Sequence, residues 1–157
     1  MDKYGQTLSQ LETMAAEQPE NALLSCRLAR LYQTVGMNAQ AVRQYEKALA
    51  MDPGMPRCLN ELVHLYLDFH QLGEATQTME TLARIRPDSP TVFYNLACLY
   101  ARQEKVEPAV NALKTAIDKG YDHWEHLKTD PDLDNIRQTR FYKTILKREF
   151  GSVFPLS

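Results

Sequence analysis

His123 and His126 stand three apart in the stretch HWEH, with Glu125 between them. On a helix that spacing puts both imidazoles on one face, and imidazole with carboxylate is a zinc-ligand set. A zinc site needs further ligands, and no second ligand pair is evident. The stretch therefore reads as the polar face of a short helix anchored by Trp124, and no metal is expected. The three cysteines, Cys26, Cys58 and Cys98, are too few and too far apart for a disulfide scaffold or a zinc knuckle. Cys26 and Cys98 read as small packing residues. The chain holds no phosphate-cradling glycine loop, no G-x-S-x-G, no H-E-x-x-H and no C-x-x-C. The expectation is a non-catalytic protein without a cofactor.

The composition agrees. Of 157 residues, 44% are hydrophobic and 24% charged, with only 6 Gly and 8 Pro, which is a soluble globular balance. A net charge of −2 supplies no whole-molecule field toward nucleic acid or membrane. The opening MDKYGQTLSQ lacks the basic and apolar regions of a signal peptide. No apolar run approaches the roughly 18 residues that span a bilayer. A cytoplasmic location and no membrane insertion are expected.

The elements that position side chains announce themselves through an interval. The stretch YEKALAMDPG reads as a helix of good formers stopped by Asp-Pro-Gly, and similar stops recur. Pro19, Pro53 and Pro87 are 34 residues apart, as are Leu28, Leu62 and Leu96; Leu31, Leu65 and Leu99; Tyr32, Tyr66 and Tyr100; and Ala41, Ala75 and Ala109. Within a copy, Leu28, Leu31 and Tyr32 share one helix face, and Ala41, Tyr45, Ala48 and Leu49 share another. Gly36 and Asn38 suit a helix stop followed by an N-cap, and Ser89-Pro90 suits a cap before the first helical turn. Pro108 suits the opening of the third copy's second helix in the same way. Each unit is a helix, a tight turn, a second helix and a proline-marked break.

This pattern resembles the tetratricopeptide repeat. Residues 22–55 carry Leu28, Ala29, Tyr32, Gly36, Ala41, Tyr45, Ala48 and Pro53 at the family's spacings. Residues 56–89 carry Leu59, Leu62, Tyr66, Ala75 and Pro87, with His70 in place of the turn glycine, so a different turn is expected there. Residues 90–123 carry Phe93, Leu96, Ala97, Tyr100, Ala109 and Ala116, with Tyr121 in place of the closing proline. Residues 1–21 read as a half-repeat helix over Thr7 to Pro19. Residues 124–157 read as a helical cap and tail, with Asp122 and Glu125 at capping-box spacing and Leu133, Ile136, Phe141, Ile145 and Leu146 as its apolar set. Its Asp-Pro-Asp-Leu run with Arg137 and Phe141 resembles a closing segment common in bacterial members. The resemblance implies one all-α domain over residues 1–157, a right-handed α-solenoid of stacked antiparallel helix pairs.

It also implies a concave face lined by the first helix of each pair. There the sequence offers Leu23, Cys26, Arg27, Arg30, Gln33 and Thr34, then Arg57, Asn60, Glu61, His64, Leu67 and Asp68, then Thr91, Tyr94, Asn95, Cys98, Ala101 and Arg102. Arginine forks bind carboxylates, asparagine amides grip peptide backbone, and a tyrosine gives an apolar wall with a polar tip. The candidate groove set is Arg27, Arg30, Arg57, Asn60, His64, Tyr94, Asn95 and Arg102. Some family members clamp the C-terminal carboxylate of chaperones with Lys, Asn and Arg. The equivalent places here hold Cys26, Arg30, Glu61, Thr91 and Asn95, so that clamp is not reproduced. The expected partner is a protein or peptide segment with acidic or polar residues, bound by a scaffold, assembly factor or chaperone-like adaptor. The alternative is self-assembly, as a homo-oligomer or as a piece of a longer repeat array, with Val153, Phe154 and Leu156 either folding back on the cap or docking in a neighbour's groove.

Overall fold

Prolines, caps and left-handed turn residues cut the chain into short helices. A computed structural model describes residues 3–151, and the expected tail contacts of Val153, Phe154 and Leu156 lie outside them. All regular structure among the described residues is helical. The chain divides into two compact units, Met1–Ile85 and Arg86–Ser157.

The first unit holds α1 (Lys3–Glu17), α2 (Ala22–Thr34), α3 (Asn38–Met51), α4 (Pro56–Asp68) and α5 (Leu72–Ile85). Helix α2 pairs with α3, and α4 with α5, while α1 packs on α2 and α3 on α4. Helix α1 begins at Lys3, ahead of the expected Thr7. Small side chains make the close pairing possible: Ala29, Ala41, Ala48 and Ala75 have no exposed surface, and a larger group there would overpack. Around them sit Leu28, Leu62, Leu65 and Tyr45, all buried. Two matching bonds tie neighbouring helices. The Tyr32 hydroxyl donates to Glu12 at 2.7 Å, and Tyr66 donates to Glu46 at 2.6 Å. Burial and the Glu12 bond push Tyr32 up to about 12.

Local signals explain the helix ends. The Asn21 side chain accepts from the Leu24 N–H, and the Asp52 carboxylate accepts from the Gly54 N–H just past α3. Asn38, expected to cap α3, is instead its first residue, and Met37 occupies the cap position without a side-chain bond.

The turns within the helix pairs correct a second expectation. Gly36 has φ 83°, and His70 takes the same left-handed region at φ 57°, as does Glu104 at φ 59°. The same backbone bond closes all three turns, Met37 N–H to Tyr32 O at 2.8 Å, Gln71 to Tyr66 at 2.7 Å and Lys105 to Tyr100 at 3.0 Å. His70 therefore does not change the turn; the helix pair imposes it on an unfavourable residue. A left-handed non-glycine residue costs roughly 1–2 kcal/mol, partly offset by the greater unfolded-state freedom of glycine. His70→Gly and Glu104→Gly should each raise stability by about 0.5–1 kcal/mol. Gly36→Ala, where a Cβ meets nothing within 4 Å, should lose about 1 kcal/mol from backbone strain alone. Urea midpoints of the three variants check the signs.

The second unit holds α6 (Pro90–Arg102), α7 (Val106–Asp118), α8 (Trp124–Thr129), a 3₁₀ turn (Pro131–Ile136) and α9 (Arg140–Phe150). Helices α6 and α7 form a pair, and the 3₁₀ turn packs on both. Ser89 caps α6 through the Val92 N–H as expected, and Thr139 caps α9 through the Tyr142 N–H. Asp122 does not cap α8; His123 holds that position and makes no side-chain cap bond. The core comprises Leu96, Ala97, Leu99, Ala109, Leu113 and Ala116, continued by Leu127, Leu133, Ile136, Tyr142 and Ile145. The closing segment's buried aromatic is thus Tyr142, while Phe141 is only half-buried.

Candidate functional site

In the first unit, α2 and α4 are the first helices of their pairs, and a covalent bond joins them. Cys26 and Cys58 form a disulfide with their Cα atoms 6.2 Å apart. This corrects the reading of Cys26 as a small packing residue: one pair is bridged, although three cysteines are too few for a disulfide scaffold. The two lie 32 residues apart, two short of the repeat interval, and that offset brings one first helix against the next. Among the described residues, no helix is long and apolar enough to cross a membrane.

Around this bridge lies a basic face. Arg27 follows Cys26, Arg30 lies about one turn further along α2, and Arg57 precedes Cys58; all three are exposed. Asn60 and His64 continue the face along α4, both exposed, with Glu61 half-buried between them. None of the three arginines enters an ion pair with another described residue. Beneath them the buried Tyr45 hydroxyl donates to Gln33 at 3.1 Å. Burial, then the Glu61 charge, raises its pKa, while Arg30 and Arg57 pull it down.

In the second unit the candidates fall differently. Asn95 is exposed, but Tyr94 is only 3% exposed. Its ring stacks on Tyr121 at 4.1 Å with 3° between planes, and its hydroxyl donates to Asp130 at 2.7 Å. Burial, then that bond, pushes Tyr94 far above its ordinary pKa, and burial lifts Tyr121 to about 12. Cys98 and Ala101 are buried on the same side of α6. The cap explains this: the Cys98 thiol donates to Asp130 at 3.6 Å, and Asn135 donates to the Ala101 carbonyl at 2.7 Å. Arg102 reaches Asp132 at 3.9 Å. The chain's own C-terminal segment thus occupies the face of α6 that the sequence suggested as groove. Tyr94 serves that packing rather than forming an open wall.

The metal-like residues also have partners within the unit. His126 Nε2 lies 3.4 Å from Asp130 Oδ2, whereas His123 meets the ring of Tyr121 edge-on at 5.4 Å. The two imidazoles therefore serve different neighbours. Cys98, Asp130 and Asp132 bring ligand atoms within 4.8 Å of one another. Tyr94, Cys98 and His126 already converge on Asp130 Oδ2, and the Asp132 N–H donates to Oδ1 at 3.0 Å. Burial, then the Asp130 and Asp132 charges, holds the Cys98 thiol protonated. Chemically this is a hydrogen-bonded corner that fastens the cap to α6.

Models of the tetratricopeptide repeat match residues 34–93 and 90–118, together more than half of the chain. The chain belongs to the tetratricopeptide repeat family. A chloroplastic protein of Arabidopsis thaliana is 27% identical over 88 residues, which cover 52% of this tetratricopeptide repeat chain. The match spans about a quarter of that relative's length, 26%. Among solved structures, a crystal structure of MamA protein superposes with a TM-score of 0.72 at 13% identity, covering 98% of this chain and 88% of that one. MamA from Desulfovibrio magneticus RS-1 gives 0.64 at 15% identity, covering 96% and 88%. At these identities the likeness shows the fold, the tetratricopeptide solenoid. Family membership supports a protein-interaction scaffold in general, and scaffolds of this family are generally non-catalytic.

Proposed function

We propose that this chain is a non-catalytic interaction module that takes an extended or helical acidic segment of a partner protein on the exposed face of α2 and α4. The carrying observation is the trio Arg27, Arg30 and Arg57, exposed and without an ion pair among the described residues, on two helices bonded side by side. A guanidinium fork matches a carboxylate in two parallel hydrogen bonds, and three forks on adjoining helices can grip carboxylates spaced along one segment. Asn60, on the same face of α4, is exposed and offers an amide for a bound backbone. Scaffold, assembly factor or adaptor describes the role, which consists of holding rather than converting. Affinity for a short segment should be modest, on the order of micromolar.

Selection from a random dodecapeptide library on the immobilised chain tests this. The retained peptides should be rich in Asp and Glu, and the R27E/R30E/R57E variant should bind them at least about tenfold more weakly, a loss of roughly 1.4 kcal/mol. Binding should also weaken with added salt. Apolar or basic peptides held equally by both proteins would overturn the reading. Circular dichroism establishes that the variant is folded.

A further inference from the structure

We propose that Cys26 and Cys58 are a reversible thiol–disulfide site that sets the affinity of the arginine face, with a glutathione-type disulfide or a dithiol as its reaction partner. The inference rests on the reading of that face as a carboxylate-binding surface. Each cysteine adjoins one of the arginines: Arg27 follows Cys26, and Arg57 precedes Cys58. The covalent bond holds their Cα atoms at 6.2 Å, so it also sets the separation of the two guanidinium-bearing backbones. Simultaneous engagement of two carboxylates spaced along one segment depends on that separation. Once the bond opens, α2 and α4 are registered through α3, which packs on both, and the forks lose their fixed spacing.

The chemistry balances. A Cys26 or Cys58 thiolate attacks a sulfur of a small disulfide, forming a mixed disulfide and expelling one thiolate. The second protein thiolate then attacks the protein sulfur of that mixed disulfide and expels the other. Two protein thiols become one disulfide, and one small disulfide becomes two thiols. Two electrons pass to the small molecule, and the two protons end on its sulfurs. The attacking species is the thiolate, so the exchange starts when Cys26 or Cys58, both buried, reaches solvent. Cys98 does not compete, because it stays protonated in its buried corner beside Asp130.

Access gives the site its behaviour. Cys26 is 5% exposed and Cys58 1%, so a reductant reaches the sulfurs only when α2 and α4 part. A segment bound across both helices should shield the bond. Linkage makes the effect reciprocal: if the oxidised chain binds a segment tenfold more tightly, that segment must lower the reduction potential of the pair by about 30 mV.

The test uses a fluorescein-labelled Asp- and Glu-rich dodecapeptide, with a Lys-rich one as control. Anisotropy is read on the oxidised chain, the dithiothreitol-reduced chain and C26A/C58A. Loss of fixed spacing at two side chains should weaken acidic-peptide binding roughly tenfold in the reduced chain and in the variant alike. Only the wild type should respond to dithiothreitol. Equal affinity in all three forms would overturn the inference and leave the arginine face standing. Failure of the oxidised chain to bind would overturn the reading of the face, and the inference with it. Alkylation of Cys26 and Cys58 in air-oxidised protein would show that no bridge forms, overturning the inference alone.

Discussion

Arg137→Ala should lower the urea midpoint reported by Trp124 fluorescence by about 2 M. The Arg137 guanidinium is the knot of the C-terminal segment. It donates to the carbonyls of Lys128 and Asp130, to the Tyr142 hydroxyl at 2.7 Å and to Asp134 at 2.7 Å. Its carbon lies 5.5 Å from the Tyr142 ring centre. Tyr142 in turn donates to the Leu127 carbonyl at 2.8 Å. Leu127, Leu133 and Ile136 beneath this network have no exposed surface. Alanine strands two carbonyls and frees the turn that seats those side chains. Losing charged hydrogen bonds and leaving acceptors unmet should cost about 3–5 kcal/mol, and an m-value of about 2 kcal/mol/M turns that into the stated shift. Trp124 is the only tryptophan in the sequence and belongs to α8, so its emission follows this segment. Arg137→Lys keeps the charge but not the planar fork, and should recover less than half of the loss. A midpoint unmoved by either change would reduce the network to ornament on a core held by Leu127, Leu133 and Ile136.

The helices were legible because the 34-residue step keeps each residue type at the same place in its pair. Ala41, Ala75 and Ala109 are fully buried for one shared reason, the close approach of paired helices. What escaped is contact across neighbouring pairs. The bonds there do not align at the repeat step: Cys26 meets Cys58, Tyr94 meets His126, and Cys98 meets Asp130, each 32 residues apart. Columns in phase at 34 hide that offset, so Cys26 and Tyr94 looked open to a groove. A comparison at the shorter step would have set the two cysteines opposite each other. The Tyr32–Glu12 and Tyr66–Glu46 bonds were visible in phase, since both partners step by 34, but glutamates on a helix surface attract no notice. His70 and Glu104 show the opposite limit. Tertiary closure of a turn overrides residue preference, which the letters alone do not reveal.

Opening the Cys26–Cys58 bond should cost about 3–4 kcal/mol of stability, the chain-entropy value for a loop of 32 residues. For a chain of this size that is roughly 8–14 °C in melting temperature. The expectation separates two accounts of the same side chains. If the cysteines act as small apolar groups, reduction leaves their contacts nearly intact and the melting curve hardly moves. If they act as a tie between first helices, reduction restores to the unfolded chain the freedom the loop had lost. Melting with and without dithiothreitol therefore decides, with free thiols counted in each sample. Cys26→Ala/Cys58→Ala should match the reduced chain and ignore the reductant, apart from the small loss from two trimmed sulfurs. The cost should fall on the first unit, because both ends of the loop lie on α2 and α4. Amide exchange in those helices should quicken on reduction, while Leu127 and Ile136 in the second unit keep their protection. A reduced chain that melts with the oxidised one would leave packing as the whole role of the pair.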